Sequence, residues 1–301
     1  MKHAITFTIN VGTSACPNHC LICVSEMTGK YDFDTIDVNW TAFKRCVQIA
    51  VNYRSENVLL TGKGEPLLFP GQITKYLHIL DKHRKYFTRF EMQTSGDGLE
   101  HCQKYLKAWK RLGLDLIALS AYHYDDKLND EIFRPVAGHL SADGAILPSN
   151  KRMPLDGKIG IIQAAGFMVR LSFVLIRGYI DSVEEVKSAL RFARERGVFQ
   201  TTFRELGMPR DPKNAAVASF VQDHLLDTDQ VQSIKEYFDT NGHACDKLPF
   251  GGTVYEINGH NACLTTCLDQ CTNSEDLRNL IFFPDGTLAT SWEYPRGSAV
   301  L

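Results

Sequence analysis

Apolar positions alternate between two spacings along the first 240 residues. Short apolar runs typical of buried strands are followed by segments in which apolar residues recur at helical spacing. The predicted strands cover residues 3–9, 57–61, 90–94, 115–120, 167–176 and 199–206. The predicted helices cover residues 42–51, 73–83, 101–112, 182–196 and 228–240, and Asp181 is the expected N-cap of the helix at 182–196.

This strand–helix alternation predicts parallel strands joined by right-handed crossovers. About six such units fit an α/β fold in which residues 1–240 form an open, partial (β/α)6 barrel. Residues 241–301 are rich in glycine and proline turn signals, with short strands predicted at 253–257 and 280–283. They are expected to form a small, β-rich C-terminal subdomain.

One connection in the predicted barrel is unusually long. Some 46 residues separate the strands at 115–120 and 167–176, and residues 134–154 contain three prolines and two glycines without clear periodicity. Long loops of this kind are usually functional or disordered. We therefore predict a substrate lid at 134–154, with His139 and Arg152 as its polar candidates, although a solvated loop explains both residues equally well.

Composition and charge exclude several classes of protein. The chain has 301 residues, 33 Lys+Arg and 35 Asp+Glu, for a formal net charge of −2, and 44% of its residues are hydrophobic. This balance is typical of a soluble globular protein and argues against non-specific nucleic-acid binding. No apolar run approaches the roughly 18 residues of a membrane span, and the start shows no signal peptide. We expect a cytoplasmic protein that binds neither membrane nor nucleic acid.

Cysteine is the most informative residue type. There are nine, an odd number, and a reducing compartment disfavours disulfides. Seven fall in two tight groups, one near each end of the chain, and clustered thiols of this kind suggest metal or iron–sulfur ligation. Cys46 and Cys102 fall within helical patterns and are expected to be ordinary buried cysteines.

The first group has the spacing C-x3-C-x2-C and follows the first predicted strand directly. Its members are Cys16, Cys20 and Cys23. Three thiolates on a short loop can hold three irons of a [4Fe–4S] cube and leave the fourth iron open to a ligand that is not protein. A structural zinc site would need four ligands, and His19 is poorly placed to be one. A zinc site or a redox C-x2-C pair stays the alternative.

This loop resembles that of the radical S-adenosylmethionine (SAM) superfamily. The resemblance implies that SAM chelates the open iron through its amino and carboxylate groups. It further implies that one electron cleaves SAM to a 5′-deoxyadenosyl radical, which abstracts a substrate hydrogen. The family usually has an aromatic residue before the third cysteine, where this chain has Ile22.

Further motifs at successive strand ends carry the same resemblance. Thr61-Gly62-Lys63-Gly64-Glu65-Pro66 looks like the family's Gly-Gly-Glu segment, and later strands end near Ser95, Ser120 and Met208. No residue is assigned to catalysis on the substrate. The SAM-binding residues that the resemblance implies are Ile22, Gly62, Gly64, Glu65, Ser95, Ser120, Arg170 and Met208.

The second group comprises Cys245, Cys263, Cys267 and Cys271. With residues 248–252 and 283–288, it resembles the auxiliary-cluster region of the GTP 3′,8-cyclase family and the twitch subdomain of alcohol-oxidising radical SAM enzymes. The resemblance implies a second [4Fe–4S] cluster with three or four cysteine ligands, Cys245 being the least certain; a zinc knuckle is the alternative. Cyclases have arginines where this chain has Ile9 and Leu60, so the substrate site is not shared.

Together these features predict a radical SAM enzyme of oxidoreductase or lyase chemistry that acts in a biosynthetic step. The expected substrate is a small polar molecule, nucleotide- or sugar-like, and the expected electron donor is a flavodoxin or ferredoxin. Two alternatives remain: a peptide-modifying radical SAM enzyme, and a non-catalytic iron–sulfur or zinc protein.

Overall fold

The secondary structure alternates between strands and helices for most of its length. The computed structural model describes residues 3–29, 37–136, 152–249, 251–266, 276–292 and 299–300. The strands are β1 (Ala4–Asn10), β2 (Asn57–Thr61), β3 (Arg89–Thr94), β4 (Leu116–Ala121), β5 (Met168–Leu175), β6 (Gln200–Glu205), β7 (His243–Lys247), β8 (Thr253–Ile257), β9 (His260–Thr266), β10 (Leu277–Phe282) and β11 (Leu288–Ala289). The helices are α1 (Val24–Thr28), α2 (Trp40–Asn52), α3 (Pro70–Asp81), α4 (Leu99–Arg111), α5 (Asp126–Phe133), α6 (Leu155–Ala164), α7 (Val183–Glu195), α8 (Ala215–Asp223) and α9 (Thr228–Asn241).

All eleven strands of the described residues belong to one sheet, in the order β11-β10-β1-β2-β3-β4-β5-β6-β9-β8-β7. The predicted run of six parallel strands is confirmed as β1 to β6. The parallel part is larger than predicted, because β10 pairs parallel with β1 and β9 pairs parallel with β6. Antiparallel strands lie at both ends of the sheet. The two end strands, β11 and β7, do not pair with each other, so the sheet is open, as in a partial barrel.

The strands that follow residue 240 do not form a sheet of their own. Both predicted strands in this region exist, but β8 belongs to one end of the main sheet and β10 to the other. A sequence pattern cannot reveal this arrangement, since the pairing partner of β10 lies at the opposite end of the chain. The division into domains 1–240 and 241–301 stays a prediction.

The two faces of the sheet differ in chemistry. On β5, Val169, Leu171 and Phe173 are buried in the main hydrophobic core together with residues of the helices. Successive side chains of a strand point to opposite faces, so Arg170 and Ser172 lie on the other face. The helices therefore cover the apolar face, and the inner, concave side of the partial barrel is polar.

The N-cap prediction for the helix at 182–196 is wrong by one residue. Ser182 is the N-cap of α7, and its hydroxyl accepts a hydrogen bond from the Glu185 N–H. The Asp181 carboxylate instead accepts from the Gly178 N–H, 2.8 Å away. Asp181 thus closes the turn before the helix and is not available to cap it.

The long connection between β4 and β5 contains two helices that the sequence pattern did not predict, α5 and α6. The predicted lid lies largely outside the described residues, and His139 lies there with it. In the described part of the chain, no helix combines the length and apolar character needed to cross a membrane.

Candidate functional site

The three N-terminal cysteines lie on one loop at the carboxyl end of β1. Cys16, Cys20 and Cys23 are each half-buried, and Cys23 occupies the residue before α1. None of the cysteines in the described ranges forms a disulfide. The structure therefore brings together the three thiols that the spacing singled out, at the edge of a parallel sheet where ligands bind.

Burial disfavours ionisation of two of the three thiols. Burial, and then the charge of Glu65, raises the pKa of the Cys16 thiol well above its usual range. Burial, and then the charge of Cys23, raises the pKa of Cys20 to about 12, although a hydrogen bond from Tyr122 acts in the opposite direction. Thiolates at these positions need compensating positive charge, and soft sulfur donors favour a thiophilic metal such as zinc or an iron–sulfur cluster as its source.

Three thiols on one short loop match the donor set of a cluster with one open iron. Among the residues that the structure describes, no three His, Cys, Asp or Glu side chains are placed to hold one metal ion together. In a cubane cluster each thiolate binds a different iron, so the sulfurs stand farther apart than around one ion. The donor chemistry and the shared loop fit a [4Fe–4S] cluster.

The turn after β2 packs directly on the cysteine loop. A Cβ atom on Gly64 would lie 2.1 Å from the Ala15 carbonyl oxygen, and one on Gly62 would lie 2.9 Å from the Val11 carbonyl oxygen. The Glu65 N–H donates to the Ala15 carbonyl at 2.9 Å. Glycine is therefore required here because two backbone segments touch.

The Glu65 carboxylate joins the ends of β2 and β3. One oxygen accepts from the Leu67 N–H at 3.0 Å and from the Thr94 hydroxyl. The other accepts from the Ser95 N–H at 2.9 Å and from the Ser95 hydroxyl at 2.6 Å. Burial raises the pKa of Glu65, while these hydrogen bonds lower it. The side chains of Glu65 and Ser95 thus hold two strand ends in place.

We expect Glu65→Gln to lower the free energy of unfolding by about 1–3 kcal/mol, the cost of one unsatisfied buried donor. An amide offers a single acceptor oxygen, so the N–H of Leu67 or of Ser95 loses its partner. Urea unfolding of the metal-free protein measures the change. Glu100→Gln, at an exposed position of α4, is the matched control and should stay within about 0.5 kcal/mol of the wild type. An equally small effect at Glu65 would contradict this role.

A buried carboxylate, Asp97, connects the cysteine loop to distant segments. It accepts from Asn18 Nδ2 at 2.6 Å, from Lys158 Nζ at 2.7 Å and from Arg152 Nε at 3.0 Å. Burial alone would raise the pKa of Asp97, but Lys158 and Arg152 lower it to about 2. Sequence reasoning missed Asn18, Asp97 and Lys158, whose only signal was proximity to the cysteines and to the end of β3.

The side chain of Arg152 is buried and is not part of a solvated loop. Its side chain is 5% exposed and pairs with Asp97 and with Asp130, the latter at 3.1 Å. Its guanidinium carbon lies 3.5 Å from the centroid of the Phe133 ring. The solvated-loop explanation for Arg152 is therefore wrong: the residue is part of a buried ion-pair network, and its contact with a substrate stays a prediction.

The remaining polar candidates lie along the inner face of the sheet. Gln93 Nε2 lies 3.4 Å from the Ser120 hydroxyl, and Arg170 forms an ion pair with Glu91. Ser120 is aligned with Ser172 on the next strand, and Arg204 Nε donates to the Ser172 hydroxyl at 3.0 Å. The sequence motifs identified Ser120 and Arg170 as candidates. They did not indicate that Gln93, Ser172 and Arg204 lie on the same surface.

The two apolar candidates, Ile22 and Met208, belong to a second, smaller hydrophobic cluster. Ile22 is buried in it, and Met208 packs against it. Ile22 and Met208 thus belong to one apolar cluster although 186 positions separate them in the sequence, and their contact with SAM stays a prediction. The buried core of this cluster is formed by Ile22, Met27, Ile132, Ile176, Leu206 and Val221.

The second cysteine group is described only in part. Cys245 is exposed on β7, at an irregularity in its pairing with β8, and Cys263 is buried on β9. β8 lies between these two strands, which places them about 10 Å apart. Cys267 and Cys271 lie outside the described residues, so ligation by these four cysteines stays a prediction.

Comparisons with known proteins identify the fold. No family model matches the chain, and no curated protein matches it. Among solved structures, SuiB of Streptococcus suis bound to the precursor peptide SuiA has a TM-score of 0.59 and 13% identity over 98% of this chain and 61% of SuiB. anSMEcpe with bound AdoMet has a TM-score of 0.54 and 12% identity over 97% of this chain and 72% of its own.

A third match is coproporphyrinogen III oxidase (HemN) from Escherichia coli, which is a radical SAM enzyme. Its TM-score is 0.51, with 12% identity over 80% of this chain and 54% of HemN. The chain spans about 61% of the length of SuiB. Identities this low establish the fold alone: the chain has the partial-barrel fold of radical SAM enzymes.

Proposed function

We propose that the chain is a radical SAM enzyme that uses a [4Fe–4S] cluster held by Cys16, Cys20 and Cys23. The observation that carries the proposal is the common loop of these three thiols, held at the carboxyl edge of a sheet with the radical SAM fold. When bound, the cluster and SAM supply a 5′-deoxyadenosyl radical that abstracts a hydrogen atom from the substrate.

The proposed SAM site uses backbone as much as side chains. Gly62 and Gly64 let the turn after β2 pack against the backbone of the cysteine loop, and the backbone N–H and C=O groups of this turn are the proposed partners of the amino acid moiety of SAM. Glu65 and Ser95 fix that turn through their mutual hydrogen bond. Ser120 and Arg170 on the inner face, and Ile22 and Met208 in the apolar cluster, complete the set.

The proposed substrate is a small polar molecule, such as a nucleotide or a sugar. The support is the polar inner face, where Gln93, Ser120, Ser172 and Arg204 offer hydrogen-bonding groups and the Glu91–Arg170 pair lies among them. An apolar substrate would remove water from these groups without offering them further hydrogen bonds, which disfavours its binding. SuiB was solved with a precursor peptide, so a peptide is the alternative to test.

Anaerobic incubation with dithionite and SAM tests the proposal, with 5′-deoxyadenosine measured by chromatography. A radical SAM enzyme forms 5′-deoxyadenosine, slowly without substrate and faster with it, whereas an electron carrier or zinc protein forms none. Panels of nucleotides, sugars and peptides, added separately, identify the substrate class by the increase in rate. Stimulation by peptides alone would contradict the small-molecule proposal and leave the radical chemistry intact.

We also propose a second [4Fe–4S] cluster on Cys245, Cys263, Cys267 and Cys271, with electron transfer from a substrate radical as its role. The predicted iron content is about eight per chain, falling to about four when Cys263, Cys267 and Cys271 are replaced by alanine. Iron analysis with parallel zinc analysis measures this. An iron content of about four per chain in both the wild type and the variant would refute the second cluster. If the wild type also binds zinc and the variant does not, the second cysteine group forms a zinc knuckle.

A further inference from the structure

The cysteine loop is fastened on two sides by residues that are not cysteines. On one side, it pairs with the end of α5 through three backbone hydrogen bonds: His19 N–H to the Arg134 carbonyl, Leu21 N–H to the Ile132 carbonyl, and Val136 N–H to the Pro17 carbonyl. Their lengths are 3.1, 2.9 and 2.9 Å. On the other side, the side chain of Asn18 reaches the turn after β3, and the Glu65 N–H of the turn after β2 donates to the Ala15 carbonyl.

The side chain of Asn18 contacts two residues of the turn after β3. Its side-chain amide donates to Asp97 at 2.6 Å and lies 3.4 Å from the Ser95 hydroxyl. Asn18 lies between Cys16 and Cys20 in the sequence of the loop. The residue is buried, and its Oδ1 has no hydrogen-bond partner among the described atoms. Its side chain therefore fixes the position of the loop segment between two of the cysteines.

Asp97 can hold Asn18 firmly because Asp97 itself is fixed by two cations. Lys158 and Arg152 are 2% and 5% exposed and bind the two oxygens of the carboxylate. Lys158 Nζ also donates to the Ser95 carbonyl at 2.9 Å. A buried carboxylate bound to two buried cations has little freedom to rotate, so the acceptor that faces Asn18 is preorganised.

We propose that Asn18 and Asp97 form a positioning unit that holds the loop segment between Cys16 and Cys20 in place and thereby retains the cluster. This inference rests on the proposed cluster at Cys16, Cys20 and Cys23. Neither residue is a ligand; both act through the geometry of the loop.

Asn18→Ala is the decisive variant, because it cuts the link and leaves the buried ion pairs of Asp97 intact. We expect the metal-free variant to unfold at the wild-type temperature. The reconstituted variant should lose iron to a ferrous chelator at least several-fold faster. Its reduced cluster should give an altered electron paramagnetic resonance spectrum, because the cysteines of the released loop segment shift relative to the irons. Asn18→Gln, which keeps the amide, should restore part of each property.

Asp130→Asn is the matched control, since Asp130 binds the same Arg152 but makes no described contact with the cysteine loop. It should leave iron release and the spectrum unchanged. Wild-type iron release and spectrum in Asn18→Ala would overturn the positioning unit alone. A wild-type chain that binds no iron through Cys16, Cys20 and Cys23 would overturn the proposed function as well, so the two failures are distinguishable.

Discussion

Replacing Cys16, Cys20 and Cys23 together with alanine is expected to remove about four irons per chain and to abolish 5′-deoxyadenosine formation. Thiolates are the only protein ligands that this loop offers to a cluster, and alanine provides no replacement. The measurements are iron content after anaerobic reconstitution and 5′-deoxyadenosine after reduction in the presence of SAM. The loss of activity should be complete, because no cleavage of SAM is expected without the cluster.

Cys46→Ala is the control for this variant. Cys46 is fully buried in α2 and lies in the hydrophobic core. Its replacement should reduce stability modestly through the small cavity that it leaves, and should preserve iron and activity. Formation of 5′-deoxyadenosine by the triple variant would refute the cluster assignment.

Gly64→Ala is expected to have the second largest effect. The new methyl group would lie 2.1 Å from the Ala15 carbonyl oxygen and 2.7 Å from that of Thr13. Both are backbone atoms of the segment leading to Cys16, so the loop must move away from the turn after β2. We expect most of the iron to be lost and the free energy of unfolding to fall by about 1–3 kcal/mol.

Gly71→Ala separates this effect from glycine replacement in general. Gly71 lies in the first turn of α3, where an added Cβ would meet no atom within 4 Å. That change should raise stability by about 0.4–1 kcal/mol and leave the iron content unaltered. A Gly64→Ala protein with full iron content and wild-type thermal stability would show that the close approach is not required.

The sequence pattern predicts the strands of this fold better than the helices around its long connection. β2 and β8 have the predicted bounds, since both are short apolar runs between turn residues. α5 and α6 were missed because buried polar side chains interrupt their apolar faces. Asn129 in α5 accepts from the Tyr122 N–H, and Lys158 in α6 binds Asp97. Gly157 and Gly160 weaken the helical signal of α6 further.

The candidate site was predictable only where its residues are close in sequence. The spacing of Cys16, Cys20 and Cys23 is a local pattern, and the structure places all three on one loop. The unit around Asp97 joins Asn18 to Arg152 and Lys158, more than 130 residues apart. Their meeting depends on the order of β1, β3 and β4 in the sheet, which periodicity does not encode.

The parallel pairing of β1 with β10 has a consequence for biosynthesis. More than 260 residues separate β1 from β10, at residues 277–282, so β10 is synthesised long after β1. Until β10 arrives, one edge of β1 carries unpaired backbone groups, and such an edge can pair with other chains. Non-local pairing of this kind is slow to form. The cysteine loop, which follows β1 directly, thus stands beside an incomplete sheet until β10 has been synthesised and has paired with β1.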